Sequence, residues 1–184
     1  MKTLIVNGTT RRNGDTDALV NELMQHLDGD IMYIKYPNDI KPCVDCRHCQ
    51  TKEGCAIQDQ MQAVYEYLRD CDNIVLASPI WFSALSGPML NFASRIQMLY
   101  ATDAFRNEPF VMKAKTGVIV LTGGEPSTAT IPLQLARTVM KFMGVTRETI
   151  TVVSSLQTGD VPACKDEKAL AEARDVALAL NRNH

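Results

Sequence analysis

The sequence contains no apolar run long enough to cross a membrane, although 46% of its 184 residues are hydrophobic. Its N-terminus lacks the basic region, apolar core and cleavage site of a secretory signal, so we expect a cytoplasmic protein. The net charge of −2 gives no electrostatic reason to bind nucleic acid or an anionic membrane. Internal repeats are also absent. The length therefore predicts one domain over residues 1–184 with a sizeable core.

Two well-known phosphate-binding motifs are missing from the first loop. A Walker loop needs four residues between its glycines and then Lys, whereas five residues separate Gly8 from Gly14, and Asp15 follows. A dinucleotide fingerprint needs three glycines in the pattern G-x-G-x-x-G, and only one is in place. These absences exclude a P-loop nucleotidase and a dinucleotide-binding Rossmann domain of the usual kind.

The first loop nevertheless has the chemistry of an anion site. It follows a buried strand around Leu4–Val6 and precedes an amphipathic helix, so backbone N–H groups and the positive helix end point at one place. Hydroxyl donors and a planar guanidinium complete the set. These side chains belong to Thr9, Thr10, Thr16 and either Arg11 or Arg12. The alternative is an ordinary connection with two solvated arginines.

Strand and helix patterns alternate along the rest of the chain. Short apolar runs predict further strands at Ile31–Tyr36, Asn73–Ala77, Thr116–Leu121 and Thr149–Val153. Helical spacing predicts helices around Leu19–Leu27, Met61–Leu68, Ser86–Tyr100, Leu133–Met143 and Lys168–Leu180. Such units predict an α/β fold, a doubly wound five-stranded parallel sheet with helices on both faces. Ligands of these sheets lie beyond the carboxyl ends of the strands.

Two more strand ends carry polar or aromatic loops. The third strand ends in Ser78 and Pro79 before Trp81 and Phe82, and the fourth ends in Thr122-Gly123-Gly124. Trp81 is the only tryptophan in the chain, and an aromatic side chain in a loop is a candidate stacking surface. The alternative is that Trp81 and Phe82 only cover the following helix.

A cysteine-rich insertion occupies about residues 37–57. Its four cysteines have the spacing C-x2-C-x2-C-x5-C, which suits the four corners of a [4Fe–4S] cubane better than the separated pairs of structural zinc sites. They are Cys43, Cys46, Cys49 and Cys55. A loop of buried or redox-active thiols is the alternative. Cys71 and Cys164 lie outside this spacing, and we expect both to be small apolar fillers.

Four stretches together resemble the flavodoxin-like NAD(P)H-dependent FMN reductases, and more narrowly their iron–sulfur flavoprotein branch. They are VNGTTRRNGDT, PCVDCRHCQTKEGCAIQDQM, SPIWFSALSGPMLNFASR and VIVLTGG. The resemblance implies a flavodoxin-like fold, bound FMN, NAD(P)H as electron donor and a homodimer or homotetramer. Asn91 and Ser94 stand where the family often has Lys and Asp, whereas Arg95 is kept.

The resemblance also implies positions for the flavin. Phosphate contacts are expected from Thr9, Arg11, Asn13, Asp15 and Thr16, with Thr10 in the same loop. The isoalloxazine ring would be bordered by Pro79, Ile80, Trp81 and Phe82, and its far edge closed by Thr122, Gly123 and Gly124.

The implied activity is a flavin-centred oxidoreduction that needs no catalytic side chain. A hydride passes from reduced nicotinamide to FMN, and the electrons go on to a small-molecule or protein acceptor. Two alternatives remain: an iron–sulfur flavoprotein that relays electrons between a cluster, FMN and a protein partner, and a flavin-binding module without redox chemistry. A flavodoxin-type electron carrier would have the same fold, but such carriers are usually strongly acidic, whereas the net charge of this chain is only −2.

Overall fold

A computed structural model describes residues 1–182 and contains one sheet of five long parallel strands with a short sixth. The order across the sheet is β2-β1-β3-β5-β6, and β4 pairs antiparallel with the end of β3. The strands are β1 (Lys2–Asn7), β2 (Asp30–Lys35), β3 (Asn73–Trp81), β4 (Ala84–Leu85), β5 (Lys115–Thr122) and β6 (Val145–Ser155). The predicted parallel sheet is confirmed, and β4 is the addition.

Helices cover both faces of this sheet, as predicted. They are α1 (Asp15–Gln25), α2 (His48–Thr51), α3 (Met61–Asp70), α4 (Gly87–Arg95), α5 (Gln97–Arg106), α6 (Thr130–Phe142) and α7 (Glu167–Arg182). Short 3₁₀ turns lie at Pro126–Ala129 and Ala163–Lys165. No helix within residues 1–182 is long and apolar enough to cross a membrane.

The two faces of the sheet have separate cores because side chains alternate along each strand. Leu4 and Val6 of β1 pack with α3, α4, α5 and α6, while Ile5 between them packs with α1 and α7. Helix α7 presents a row of buried alanines at helical spacing, and this row allows α7 to pack closely against α1. Burial on both faces explains why the central strands β1, β3 and β5 contain continuous apolar runs.

The change in strand order falls between β1 and β3. The chain leaves β1 towards β2 and then returns to the other side of β1 as β3, which opens a crevice at the carboxyl ends of these strands. Gly8 lies in this crevice and donates its N–H to Ala77 O at 2.8 Å. A Cβ at Gly8 would lie 2.6 Å from the Ser86 hydroxyl oxygen, so only glycine fits.

The helix expected over Ser86–Tyr100 is interrupted. Helix α4 ends at Arg95, Ile96 donates its N–H to Ala93 O at 3.0 Å, and α5 starts at Gln97. Helix α5 then runs to Arg106 and stops at Asn107, whose φ of +53° is typical of a helix end. Apolar spacing alone did not reveal this break, because buried residues lie on both sides of it: Phe92 before Ile96, and Met98 and Leu99 after it.

Candidate functional site: a cleft at the strand ends and a cysteine loop

A cleft of about 220 Å³ lies where β1, β3 and β5 end. Ten of the thirteen residues predicted for the flavin line it: Thr9, Arg11, Asp15, Thr16, Pro79, Ile80, Trp81, Thr122, Gly123 and Gly124. Strand ends of a parallel sheet meet at one edge, and this geometry brings three loops distant in sequence around a single cavity.

Three predicted residues do not line the cleft. Thr10 and Asn13 are exposed in the first loop, and Asn13 has a φ of +54°, a conformation that asparagine tolerates better than most residues. Phe82 lies at the tip of the β3–β4 hairpin with its side chain fully exposed. The structure therefore separates Phe82 from Trp81, whose side chain is 45% exposed and borders the cavity.

The two central residues of this hairpin have a left-handed backbone. Phe82 and Ser83 have φ angles of +51° and +56°, so the turn is of the primed kind that joins two-residue hairpins. Glycine or asparagine usually occupies these positions because a side chain adds strain there. The hairpin thus presents Trp81 to the cleft and Phe82 to solvent.

Helix α1 offers its N-terminus to the cleft without a capping side chain. Gly14 precedes the helix and makes no side-chain cap, so the first-turn N–H groups donate to no capping side chain. The Thr16 hydroxyl lies 2.7 Å from that of Thr122, which joins the first loop to the end of β5. Asp15 lines the cleft, and its carboxylate already accepts the Ala163 N–H at 2.9 Å.

A buried polar network behind the first loop was missed by sequence reasoning. Asn7 is buried at the end of β1, and its carbonyl oxygen accepts the Thr9 N–H at 3.1 Å. Its amide donates to Asp17 at 2.9 Å and to the Tyr33 hydroxyl at 3.0 Å. Lys35 pairs with the same Asp17 carboxylate at 2.7 Å. The network neutralises an acidic residue in the first turn of α1, and so preserves the positive end of the helix.

Gly14 and Thr158 also line the cleft and were not predicted. Gly14 could have been found, because it directly precedes α1 in the anion loop. Thr158 lies in the loop after β6 and donates its N–H to Gly123 O at 3.0 Å. No motif marks Thr158, since its position depends on a strand pairing between distant segments.

The four predicted cysteine ligands line a second, smaller cavity of about 30 Å³. Cys43, Cys49 and Cys55 are partly buried, whereas Cys46 is exposed. Burial raises the pKa of the Cys49 thiol, and the nearby thiols of the other three cysteines raise it further. Among residues 1–182, no three His, Cys, Asp or Glu side chains are placed to hold a single metal ion.

The four thiols suit an iron–sulfur cluster in number and kind, but the cavity between them is too small to hold one. Four thiols on one cavity supply one ligand for each iron of a cubane. A space of about 30 Å³ holds about one water, so the exposed part of the loop, Val44–Arg47, must move outward to admit a cluster.

Arg95 of α4 holds both ends of the cysteine loop. Its guanidinium is buried and pairs with the buried Asp59 carboxylate at 2.5 Å. The same group donates to Lys41 O at 2.9 Å, to Ile57 O at 3.4 Å and to the Cys55 sulfur at 3.4 Å. A buried charge therefore lies directly beneath the thiols.

Asp59 closes the loop from its other end. Burial alone would raise the pKa of Asp59, but hydrogen bonds from Arg95 and from the N–H groups of Lys41 and Met61 outweigh burial and lower it. The Asp59 carboxylate thus accepts a first-turn N–H of α3, that of Met61, and also joins the start and end of the loop.

The two positions that depart from the family pattern contact the same loop. Asn91 donates its side-chain amide to Ile40 O at 2.7 Å, and the Ser94 hydroxyl accepts the Cys43 N–H at 3.0 Å. Asn91, Ser94 and Arg95 therefore lie on one face of α4 that receives the loop backbone.

The two cysteines outside the loop, Cys71 and Cys164, differ in burial. Cys71 is fully buried, which confirms it as an apolar filler, and burial raises its pKa to about 11. Cys164 is exposed, so its prediction as a filler was wrong. It lies on a surface 3₁₀ turn in which the neighbouring Ala163 is the buried residue.

The strand order and the cleft at its switch point define a flavodoxin-like α/β protein. Solved structures agree: an NAD(P)H:quinone oxidoreductase from Methanothermobacter marburgensis superposes with a TM-score of 0.70 at 16% identity. The superposition covers 100% of this chain and 98% of that one.

Residues 1–157 match the model of the NADPH-dependent FMN reductase family, and the chain belongs to that family. FMN as cofactor and NAD(P)H as electron donor, both predicted, are confirmed for the family to which this oxidoreductase belongs.

Two curated relatives correspond to the two groups that the sequence resembles, the FMN reductases and the iron–sulfur flavoproteins. The Bacillus subtilis NAD(P)H-dependent FMN-containing oxidoreductase YwqN is 29% identical over 94% of each chain. The iron–sulfur flavoprotein of Methanosarcina thermophila is 24% identical over 67% of this chain and 64% of its own length. The match to the second relative thus spans just under two thirds of that protein.

Proposed function

We propose that this protein transfers a hydride from reduced nicotinamide to FMN held in the cleft at the strand ends, and then passes the electrons to an acceptor. The observation that carries this proposal is the convergence of the phosphate loop, the Trp81 hairpin and the Gly123–Gly124 turn on one cavity. The FMN phosphate would lie at the N-terminus of α1, and the ring between Trp81 and Gly123–Gly124.

The phosphate is bound by donors rather than by a dense positive charge. The uncapped N–H groups of α1 face the cleft, and Thr9 and Thr16 add hydroxyls at its buried end. Arg11 is the only cationic side chain lining the cavity among residues 1–182, and it is largely exposed. Its guanidinium lies 3.8 Å from Asp15, so it can turn from Asp15 to a phosphate at little cost.

The ring environment is apolar on one side and polar at its edge. Pro79, Ile80 and Trp81 supply the apolar wall, and the backbone of Gly123 and Gly124 lies opposite. Bound FMN supplies the redox chemistry itself, accepting a hydride from the nicotinamide and releasing electrons to the acceptor. The protein binds, orients and partly shields the ring, and needs no acid or base for this.

Anaerobic reduction tests the proposal. The purified protein, reconstituted with FMN, is mixed with NADH or NADPH under argon, and flavin absorbance is followed before and after a quinone is added. We expect bleaching by the nicotinamide and recovery with the quinone. If neither NADH nor NADPH bleaches the bound FMN, the function that remains is that of a flavin-binding module without redox chemistry.

A second candidate function is favoured by the cysteine loop. We propose that Cys43, Cys46, Cys49 and Cys55 bind a [4Fe–4S] cluster that exchanges electrons with FMN and a protein partner. Helix α4 connects the two sites: the Ser86 hydroxyl before it donates to Gly8 O at 2.6 Å, and Arg95 at its end contacts Cys55. At 1.5 Å per residue, Gly87 and Arg95 are about 12 Å apart along the helix.

Iron and sulfide content separate the two candidates. We expect about four irons and four sulfides per chain in anaerobically reconstituted protein, as a Cys₄ cubane requires. Cys46→Ser should abolish this content and keep FMN, whereas Cys164→Ser, an exposed cysteine outside the loop, should change neither. If the protein binds FMN but no iron, the cluster proposal fails and the FMN reductase function without a cluster remains. We also expect a homodimer or homotetramer, which light scattering measures directly.

A further inference from the structure

A cavity larger than the cleft proposed for FMN, which we call the flavin cleft, lies at the opposite end of the sheet. It measures about 860 Å³ and lies between the last turns of α6 and the start of β6. Lys115 and Thr122 lie at the two ends of β5, seven residue steps or about 23 Å apart. This length of strand separates the cavity from the flavin cleft. The two cavities share no lining residue.

Three cationic side chains line this basic cleft, which we define as the cavity bounded by residues 134–150. They are Arg137 and Lys141 on α6 and Arg147 on β6, and no acidic residue lines it. Within residues 1–182, none of the three takes part in an ion pair. The nearest carboxylate in sequence, Glu148, is exposed and does not line the cavity. The cleft is therefore a concave region of uncompensated positive charge.

Arg137 has a further unmet requirement. Its Nε is buried and has no hydrogen-bond partner. Buried polar groups of folded proteins are nearly always paired, and an unpaired guanidinium N–H is costly. Arg137 and Lys141 are also like charges four residues apart on one helix, an arrangement that destabilises a helix unless an anion lies nearby. An anion bound beside Arg137 and Lys141 would offset their mutual repulsion.

An irregularity in β6 brings the third cation to the cleft. Lys115 of β5 is opposite Val145, yet Gly117 is opposite Ile150, so β6 carries three extra residues in this interval. The Thr149 hydroxyl lies within hydrogen-bond distance of Thr146 O, at 3.0 Å, and of Lys115 O, at 3.1 Å, and its single proton can be donated to either carbonyl. Such bulges on edge strands re-aim side chains, and this one carries Arg147.

The carbonyl end of α6 offsets this charge only in part, because a helix C-terminus carries about half a negative charge. Two of its carbonyls are already occupied: Met143 and Gly144 donate their N–H groups to Met140 O and Lys141 O at 2.9 and 3.2 Å. The remaining lining is mixed: Gln134, Thr138 and Thr146 are polar, and Val145 and Ile150 are apolar. Polar donors, an apolar floor and three cations suit a ligand with a charged end and a flat organic part.

We propose that the basic cleft binds a nucleoside polyphosphate, with Arg137, Lys141 and Arg147 on the phosphates and the nucleoside against Val145 and Ile150. Guanidinium groups bind phosphate oxygens through two parallel hydrogen bonds, and two of the three cations are arginines. The volume lies within the range of about 300–1,000 Å³ that is usual for small-molecule sites. This site is independent of the flavin chemistry and lies outside its cleft.

Binding of ADP to the FMN-loaded protein tests the proposal by calorimetry. A cleft variant carries Arg137→Gln, Lys141→Gln and Arg147→Gln. A control variant removes the same charge elsewhere through Lys52→Gln, Lys168→Gln and Arg182→Gln, none of which lines the cleft. We expect saturable binding of one ADP per chain, at least tenfold weaker in the cleft variant and within twofold of the native protein in the control.

Inorganic pyrophosphate tests the nucleoside part of the proposal, and we expect it to bind at least tenfold more weakly than ADP. Pyrophosphate binding as tight as ADP would overturn the nucleoside assignment. Equal losses of ADP affinity in the cleft and control variants would show that binding depends only on net charge, and would overturn the proposed site. Absence of saturable binding, or a cleft variant that changes only the oligomeric mass, would also overturn it.

Discussion

The phosphate loop and the cysteine loop begin at the same edge of the sheet, yet different forces hold them. The first, residues 8–16, is fixed by hydrogen bonds such as the one that the Thr9 N–H donates to Asn7, and it leaves N–H groups of α1 without a capping side chain. The second, residues 41–59, is fixed by a buried ion pair from α4, whose Arg95 lies 36 positions after Asp59. The first loop is thus held by hydrogen bonds between neutral groups, and the second by a buried ion pair.

The buried ion pair should give the largest effect. Asp59→Asn leaves the Arg95 charge buried without its counter-charge, and we expect a loss of about 3–5 kcal/mol in the free energy of unfolding. Urea denaturation measures it. The double variant Asp59→Asn/Arg95→Met should recover part of the loss, because no unpaired charge remains. A loss under about 1 kcal/mol would show that solvent reaches the pair.

The same pair predicts a pH dependence. The pKa of Asp59 is lowered in the folded state, so its stabilisation is complete above the unfolded value of about 3.9 and is lost as pH falls through the lower folded value. The free energy of unfolding should therefore drop in this acidic range, and less steeply in the double variant. Identical pH slopes for the two proteins would contradict the account.

Asn7 should give an intermediate effect that reaches the flavin. Asn7→Ala leaves the Thr9 N–H and the Asp17 carboxylate short of partners, at a cost of about 1–3 kcal/mol, and loosens the phosphate loop. Denaturation and FMN titration measure the two results. Asn73→Ala is the matched control, since Asn73 is a buried amide at the opposite end of the sheet. Equal FMN affinities in the two variants would separate Asn7 from the flavin site.

Trp81 should give the smallest effect, because it acts on the flavin and not on the fold. Indole beside the ring quenches flavin fluorescence, so Trp81→Ala should restore part of it while the thermal unfolding temperature stays nearly constant. Phe82→Ala should leave fluorescence unchanged, since Phe82 points to solvent. Equal fluorescence changes in both variants would place the ring along the hairpin rather than in the cleft.

The contrast between the loops also explains what the sequence could predict. The sheet, its two helical layers and most of the cleft were predictable because periodicity and strand-end residues are local signals. The roles of Arg95 and Thr158, the break at Ile96 and the bulge before Ile150 depend on contacts between distant segments. Phe82 does not line the cleft beside Trp81, because adjacent residues along the hairpin point to opposite sides.

The most direct test of the central claim compares FMN with riboflavin, which lacks the phosphate, in the Arg11→Ala variant. Loss of a charge-assisted hydrogen bond of about 1.5–3 kcal/mol predicts FMN binding at least tenfold weaker and riboflavin binding nearly unchanged. Arg12→Ala, the exposed neighbour that does not line the cleft, should affect neither ligand. Equal losses for FMN and riboflavin, or equal losses in both variants, would contradict phosphate binding by this loop.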